Sequence, residues 1–143
     1  LLGPALANPF REMGVTVVLA PEARGPILGA LVAVELGAGL ALARKDGSNH
    51  PGADIPIESA PSWHGERQVF LGRSFDFKPS DRVLVVDDWI TTGSTIRAAA
   101  NMIRLMGATY VGSSVLVNKA APGLLKELAV QWLVNFDEVV KPS

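Results

Sequence analysis

The sequence predicts an α/β fold in which helices flank a central, mostly parallel sheet. Two observations lead there. Gly14–Ala20 and Val83–Val86 are Val-rich runs with no polar alternation, the pattern of strands buried on both faces. Each run is followed by a short polar turn and then by apolar residues at helical spacing, so strand and helix alternate as they do in parallel sheets.

Taken in order, Gly14–Ala20 reads as the first strand and ends at Pro21. Pro21–Gly25 forms a loop, and Pro26 suits a first helical position because a helix leaves that N–H unpaired anyway. Ile27, Leu28, Leu31, Val32 and Leu36 continue at helical spacing until Gly37 and Gly39 stop the helix. Gly39–Ala43 is a second strand with Arg44 and Lys45 at its end, which completes a right-handed βαβ unit. Asp46–Arg67 is the least regular stretch. It carries Gly47, Gly52 and Gly65 with Pro51, Pro56 and Pro61, and loops this long are usually functional lids or disordered. Gln68–Leu71, with the turn to Asp76, reads as a strand or hairpin arm. Lys78–Asp81 is a turn into the strand Val83–Val86. Thr95–Met106 places Ile96, Ala99, Ala100, Ile103 and Met106 on one face, an amphipathic helix that Gly107 ends. Tyr110–Val117 is a further strand, Pro122–Leu128 a short helix and Gln131–Phe136 a last strand. Residues 1–143 form one domain.

The chemistry collects at strand ends. Asp87 and Asp88 close the strand Val83–Val86, where open α/β sheets bind ligands. After a short turn, Thr91, Thr92, Gly93, Ser94 and Thr95 open a helix with N–H groups and hydroxyls, a ready anion site. Two carboxylates beside a phosphate cradle suit a ligand with both hydroxyls and a phosphate, such as a phosphorylated ribose. The same residues also suit a plain strand–turn–helix with Asp and Thr caps. Glu22–Gly25 and Arg44–Lys45 lie at two further strand ends. Asn118 and Lys119 lie at a fourth, as a turn or as part of the ligand region.

Composition narrows the classes. Hydrophobic residues make up 48% and charged residues 19%, which is globular rather than disordered. A net charge of −1 gives no nucleic-acid or anionic-membrane signature. No apolar run is long enough to span a bilayer. The absence of cysteine excludes a disulfide scaffold, a thiol nucleophile and a Cys-based zinc site, and suits a cytoplasmic setting. The sequence has no Walker A motif, no dinucleotide-binding glycine turn after the first strand, and no nucleophile elbow.

Val83–Val86, Asp87, Asp88, Thr92, Gly93 and Thr95 resemble the binding motif for phosphoribosyl pyrophosphate of the type I phosphoribosyltransferases: four apolar residues, two acidic ones, then a turn ending Thr-Gly-x-Thr. The resemblance extends to Glu22-Ala23-Arg24-Gly25, similar to the pyrophosphate loop of the adenine phosphoribosyltransferase-like members. It continues through the helix Pro26–Gly37 and the strand ending in Arg44-Lys45. It implies a Rossmann-like three-layer domain and Mg²⁺-dependent transfer of a phosphoribosyl group to a nitrogenous base, a purine such as adenine, with release of pyrophosphate.

In that reading Asp87 and Asp88 bind the ribose hydroxyls directly or through Mg²⁺, and Thr91–Thr95 bind the 5-phosphate. Glu22, Ala23, Arg24, Gly25, Arg44 and Lys45 hold pyrophosphate, in the family often around a cis peptide. Trp89 and Ile90 border the base; the Trp89 ring either stacks on it or covers the sheet end. Thr91 stands where the hypoxanthine-guanine members carry an Asp, a departure from the 6-oxopurine pattern. Residues 46–67 correspond to a flexible loop that closes over the reaction and excludes water. The adenine members have Glu-Tyr-Gly there, which this chain lacks. Counting back from Lys78-Pro79 puts His64 at that Glu, and Glu66 reaches the place with a gap. These two are the implied acid/base candidates, although a surface loop histidine is the plainer reading of His64. Only Leu1–Met13 precede the first strand, so the family's N-terminal hood is expected to be short or missing. The expected partners are phosphoribosyl pyrophosphate, a base and a second copy in a homodimer, without nucleic acid or membrane. Some relatives are non-catalytic regulators that sense phosphoribosyl pyrophosphate, which is the alternative function.

Overall fold

The computed structural model describes residues 1–45, 47, 50–58 and 69–139. Its centre is a seven-stranded sheet in the order β3-β4-β2-β1-β5-β6-β7. The strands are β1 Val17–Pro21, β2 Gly39–Lys45, β3 Ile55–Glu58, β4 Val69–Gly72, β5 Arg82–Ile90, β6 Thr109–Asn118 and β7 Val130–Asn135. Pairings from β2 through β1, β5 and β6 to β7 are parallel, and β4 joins β2 and β3 antiparallel. The mostly parallel three-layer α/β architecture expected from the sequence is the one observed.

The unalternated strands are sandwiched as their composition requires. All five residues of β1 are buried, and so are Val83–Val86 of β5. On one face lie α1 Leu2–Ala7 and α2 Gly25–Leu36, where Leu6, Phe10, Leu28 and Val32 pack against Val18, Leu84 and Val86. On the other face lie α3 Ser94–Leu105 and α4 Pro122–Glu127, where Ile96, Met102, Ile103 and Leu125 meet Leu19, Val83, Val85 and Phe70. A short α5, Phe136–Val139, follows β7. Helix α2 packs closely on β1: a Cβ added to Gly29 would lie 2.6 Å from the Ala20 Cβ. Gly37 ends α2 in the left-handed conformation at φ 63°, as its place after the last apolar turn predicts.

Two expectations are corrected, and one helix is added. β5 does not stop before its carboxylates: Asp87–Ile90 remain in the strand, with Asp87 paired to Val115 and Trp89 to Val117, so the turn begins only at Thr91. The stretch 46–67 is not irregular throughout, because Ile55–Glu58 forms β3 and completes the hairpin whose other arm is β4. α1 was not foreseen, since Gly3 and Pro4 argue against a helix; tertiary contact overrides them, for Leu6, Ala7 and Phe10 are at most 2% exposed. Residues 46, 48, 49 and 59–68 lie outside the described residues, and with them Trp63, His64 and Glu66.

Candidate active site

The strand order creates the site. β1 is followed by β2 on one side and lies beside β5 on the other, so the loops leaving β1 and β5 diverge and open a crevice at their carboxyl ends. The first loop is Glu22–Arg24, with Gly25 starting α2, and its Glu22–Ala23 peptide is cis. Gly25 lets this loop approach the acidic end of β5. An added Cβ there would lie 3.2 Å from the Val86 carbonyl oxygen and 3.3 Å from Asp87 Oδ1. Arg24 Nε reaches across the crevice to Asp88 Oδ2 at 2.7 Å. Arg24 is 77% exposed, and such a pair contributes about 0–1 kcal/mol, so an anion entering the crevice can take the guanidinium at little cost. Arg44 Nε lies 2.5 Å from Glu22 Oε1, and the Glu22 N–H donates to the Ala43 carbonyl at 2.9 Å. β2 thus holds the loop in place. Arg44 and Lys45, expected beyond a strand end, are the last two residues of β2 and pair with Leu71 and Phe70 of β4.

Asp87 is half-buried and Asp88 donates its backbone N–H to Asp87 Oδ1 at 2.8 Å. Burial pushes the Asp87 carboxyl up from 3.8 to about 8, the neighbouring Asp88 carboxylate adds to this, and the Asp88 N–H and Arg24 oppose it. The pair is a concentrated, under-compensated acidic group. Its donor set of hard oxygens fits Mg²⁺, which takes oxygen ligands and keeps part of its shell for phosphate and water. Among the described residues no cluster of three or more His, Cys, Asp or Glu side chains could hold a metal without such help.

Beyond β5, Thr91 and Thr92 are exposed, and Gly93 takes φ 76° at the start of α3. The Ser94 N–H reaches Thr92 Oγ1 at 3.3 Å, and the first intrahelical bond runs from the Arg97 N–H to the Gly93 carbonyl at 2.8 Å. The first-turn N–H groups of α3 therefore face out with the positive end of the helix dipole. A cavity of about 60 Å³ lies here, lined by Asp87, Trp89 and the turn through Ile96. Ile90 touches this cavity but is 2% exposed and belongs to the core under α3. Trp89 is 39% exposed, and its ring centroid lies 5.4 Å from that of Phe136 at 58°.

The structure thus brings Glu22–Gly25, Arg44, Asp87, Asp88 and Thr91–Thr95 to one rim of the sheet. Phe136 joins the rim, and only its place at the end of the expected final strand could have suggested it.

The phosphoribosyl transferase domain family matches residues 6–135. Adenine phosphoribosyltransferase from Serratia proteamaculans is 39% identical over 136 residues, covering 92% of this chain and 67% of that protein. The enzyme of the same name from Thermobifida fusca is 42% identical over 113 residues, covering 79% of this chain and 62% of that protein. Among solved structures, adenine phosphoribosyltransferase from Rhodothermus marinus superposes with a TM-score of 0.80 at 29% identity, covering 94% of this chain and 77% of that one.

Proposed function

The chain belongs to the phosphoribosyl transferase family of enzymes, and on that premise we propose that it transfers a phosphoribosyl group from phosphoribosyl pyrophosphate to a nitrogen of a purine, adenine first, with Mg²⁺ as cofactor. One observation carries this reading. The Glu22–Gly25 loop and the Asp87–Thr95 segment face each other across the β1/β5 crevice and are joined by the Arg24–Asp88 pair at 2.7 Å.

In the reaction the bond from the anomeric carbon to pyrophosphate breaks, and the bond to the acceptor nitrogen forms. The ribose at the anomeric carbon gains positive character as the leaving group gains negative charge. The first-turn N–H groups of α3 and the hydroxyls of Thr91, Thr92, Ser94 and Thr95 hold the 5-phosphate. Asp87 and Asp88 accept hydrogen bonds from the ribose hydroxyls, which fixes the sugar between its two charged ends. Arg24 moves from Asp88 to the pyrophosphate, and Arg44, with Lys45 next to it at the end of β2, adds positive charge, stabilising charge where it develops. Asp87 and Asp88 would hold Mg²⁺, which when bound would supply charge neutralisation for the departing pyrophosphate. His64 or Glu66 is the proposed acid/base residue. The whole is proposed to act as a cytoplasmic homodimer. Ile27, Leu31 and Val34, exposed at helical spacing along the outside of α2, offer that dimer an apolar face, and sedimentation of wild type against Val34→Glu tests it.

Pyrophosphate release is measured with phosphoribosyl pyrophosphate, Mg²⁺ and a panel of bases. Release with adenine is expected. Donor binding without release for any base would make the protein a sensor rather than an enzyme, and unchanged donor affinity in the double variant Asp87→Asn, Asp88→Asn would overturn the site.

A further inference from the structure

The acidic end of β5 holds a cation of the chain's own. Arg24 Nε lies 2.7 Å from Asp88 Oδ2, and Asp88 Oδ1 accepts the Trp89 N–H at 2.8 Å, so each oxygen of that carboxylate has a donor. We infer that Arg24 is an internal counter-ion that keeps a divalent metal off Asp88 until an anion takes the guanidinium, and so couples metal entry to donor entry; the inference rests on the phosphoribosyl-transfer reading for the identity of that anion.

Position makes the two cations exclusive. The Asp88 side chain is 18% exposed and that of Arg24 77%, so the guanidinium is the outer member of the pair. The backbone on either side of Arg24 is held close. The Glu22 N–H donates to the Ala43 carbonyl at 2.9 Å, and a Cβ on Gly25 would lie 3.3 Å from Asp87 Oδ1. The Arg24 side chain, by contrast, has room to turn outward. A metal ion at Oδ2 would share one oxygen with the guanidinium, and two positive charges at that separation repel. Among the described residues no cluster of three or more His, Cys, Asp or Glu side chains offers the ion another seat. The protein's own ligands are thus Asp87 and Asp88, and one of them is engaged.

The pair is also weak enough to exchange. Ion pairs with an exposed partner hold together by a factor of at most about five, and this one belongs near that limit because its carboxylate is mostly covered. A site blocked to that extent binds its ligand with affinity lowered by about the same factor. A pyrophosphate group offers the guanidinium several charged oxygens and a two-pronged, charge-assisted contact. Withdrawal of Arg24 then opens Asp88 Oδ2 just as the same ligand brings negative charge beside it. Anion and metal therefore bind with positive coupling through one side chain, and by linkage each raises the affinity for the other. When pyrophosphate departs, the guanidinium returns to Asp88 and favours release of the metal with it.

The test uses Mn²⁺, which suits the same oxygen ligands, with chloride as the only anion. Free Mn²⁺ is counted by its electron paramagnetic resonance signal as the full chain is titrated. Arg24→Gln is expected to lower the Mn²⁺ Kd about fivefold, and Arg24→Lys, which keeps the charge, to leave it within about twofold of wild type. In an Asp88→Asn background the gain from Arg24→Gln should shrink below about twofold, since the disputed oxygen no longer carries charge. Arg24→Gln should at the same time weaken binding of phosphoribosyl pyrophosphate, read by calorimetry in EDTA. A substitution that merely loosened the loop would weaken both ligands; here the two move in opposite directions. A Mn²⁺ Kd that is unchanged or raised in Arg24→Gln, or a gain that persists without the Asp88 carboxylate, would overturn the inference while leaving the proposed function standing. Unchanged donor binding in EDTA would overturn the coupling. If wild type releases no pyrophosphate with any base, the proposed function fails, and the Mn²⁺ titrations still decide the inference because they need neither donor nor turnover.

Discussion

Replacing Asp87 by Asn removes a carboxylate whose ionised form the ligand-free fold disfavours. Its folded value of about 8 against an ordinary 3.8 sets the sign. A carboxyl that holds its proton more tightly when folded gives stability that is complete below about pH 4 and lost as pH rises towards about 8. At pH 7 the unfolded chain gains roughly 4 kcal/mol from ionising this group, while the folded chain gains almost nothing. Relaxation and water penetration reduce such figures, so about half, some 2 kcal/mol, is the expected benefit of Asn. The Asn side-chain oxygen still accepts the Asp88 N–H, so no bond is lost. For a domain of this size that is an upward shift of thermal midpoint on the order of 4–8 °C at neutral pH. Thermal unfolding of wild type and Asp87→Asn is followed without ligand from about pH 4 to pH 9. The curves should converge at the acid end and separate until about pH 8. A gap that does not depend on pH, or a variant less stable than wild type at pH 8, would refute the reasoning.

Binding of phosphoribosyl pyrophosphate with Mg²⁺ should ionise the same carboxyl, so calorimetry at pH 7 in buffers of different ionisation enthalpy should find a proton released, and none above about pH 9. Arg24→Gln should change stability by less than about 1 kcal/mol, because the Arg24 side chain of the Arg24–Asp88 pair is exposed, yet raise the KM for phosphoribosyl pyrophosphate about tenfold in steady-state assays. Gly29→Ala should cost about 1–3 kcal/mol in urea unfolding, since its Cβ would lie 2.6 Å from the Ala20 Cβ. Gly93→Ala should destabilise by about 1–2 kcal/mol and weaken donor affinity together, as φ 76° is a left-handed conformation and a Cβ would lie 2.8 Å from Leu124 Cδ2.

The centre of the fold and the placing of the candidate residues at strand ends were legible in the sequence because each rests on local pattern. Runs such as Val83–Val86 announce burial on both faces, and glycines such as Gly37 and Gly93 sit where the backbone turns left-handed. What escaped notice depends on contacts distant in the chain. The continuation of β5 through Ile90 is dictated by pairing with Val115–Asn118, not by the preference of Asp87 and Asp88, which disfavour strands. β3 contains Pro56, an edge-strand residue that argues against a strand until β4 is known to pair beside it. The contact of Trp89 with Phe136 joins residues 47 positions apart (136 − 89), which periodicity cannot foresee.

The anchoring of α1 has a consequence for how the chain acquires this fold. The Leu6 carbonyl accepts a hydrogen bond from Ser114 Oγ at 2.7 Å across 108 residues, and Phe10 lies against Gly112, whose added Cβ would meet it at 3.0 Å. Leu6 and Phe10 therefore have no partner in β6 until β6 has been synthesised. During translation the βαβ unit of β1, α2 and β2 can assemble early, while the layer beneath it stays open to solvent and to chaperones. Closing that layer is a long-range event, which places it on the slow side of folding. The segment in which Gly3 and Pro4 oppose a helix is thus the one whose docking marks the end of assembly.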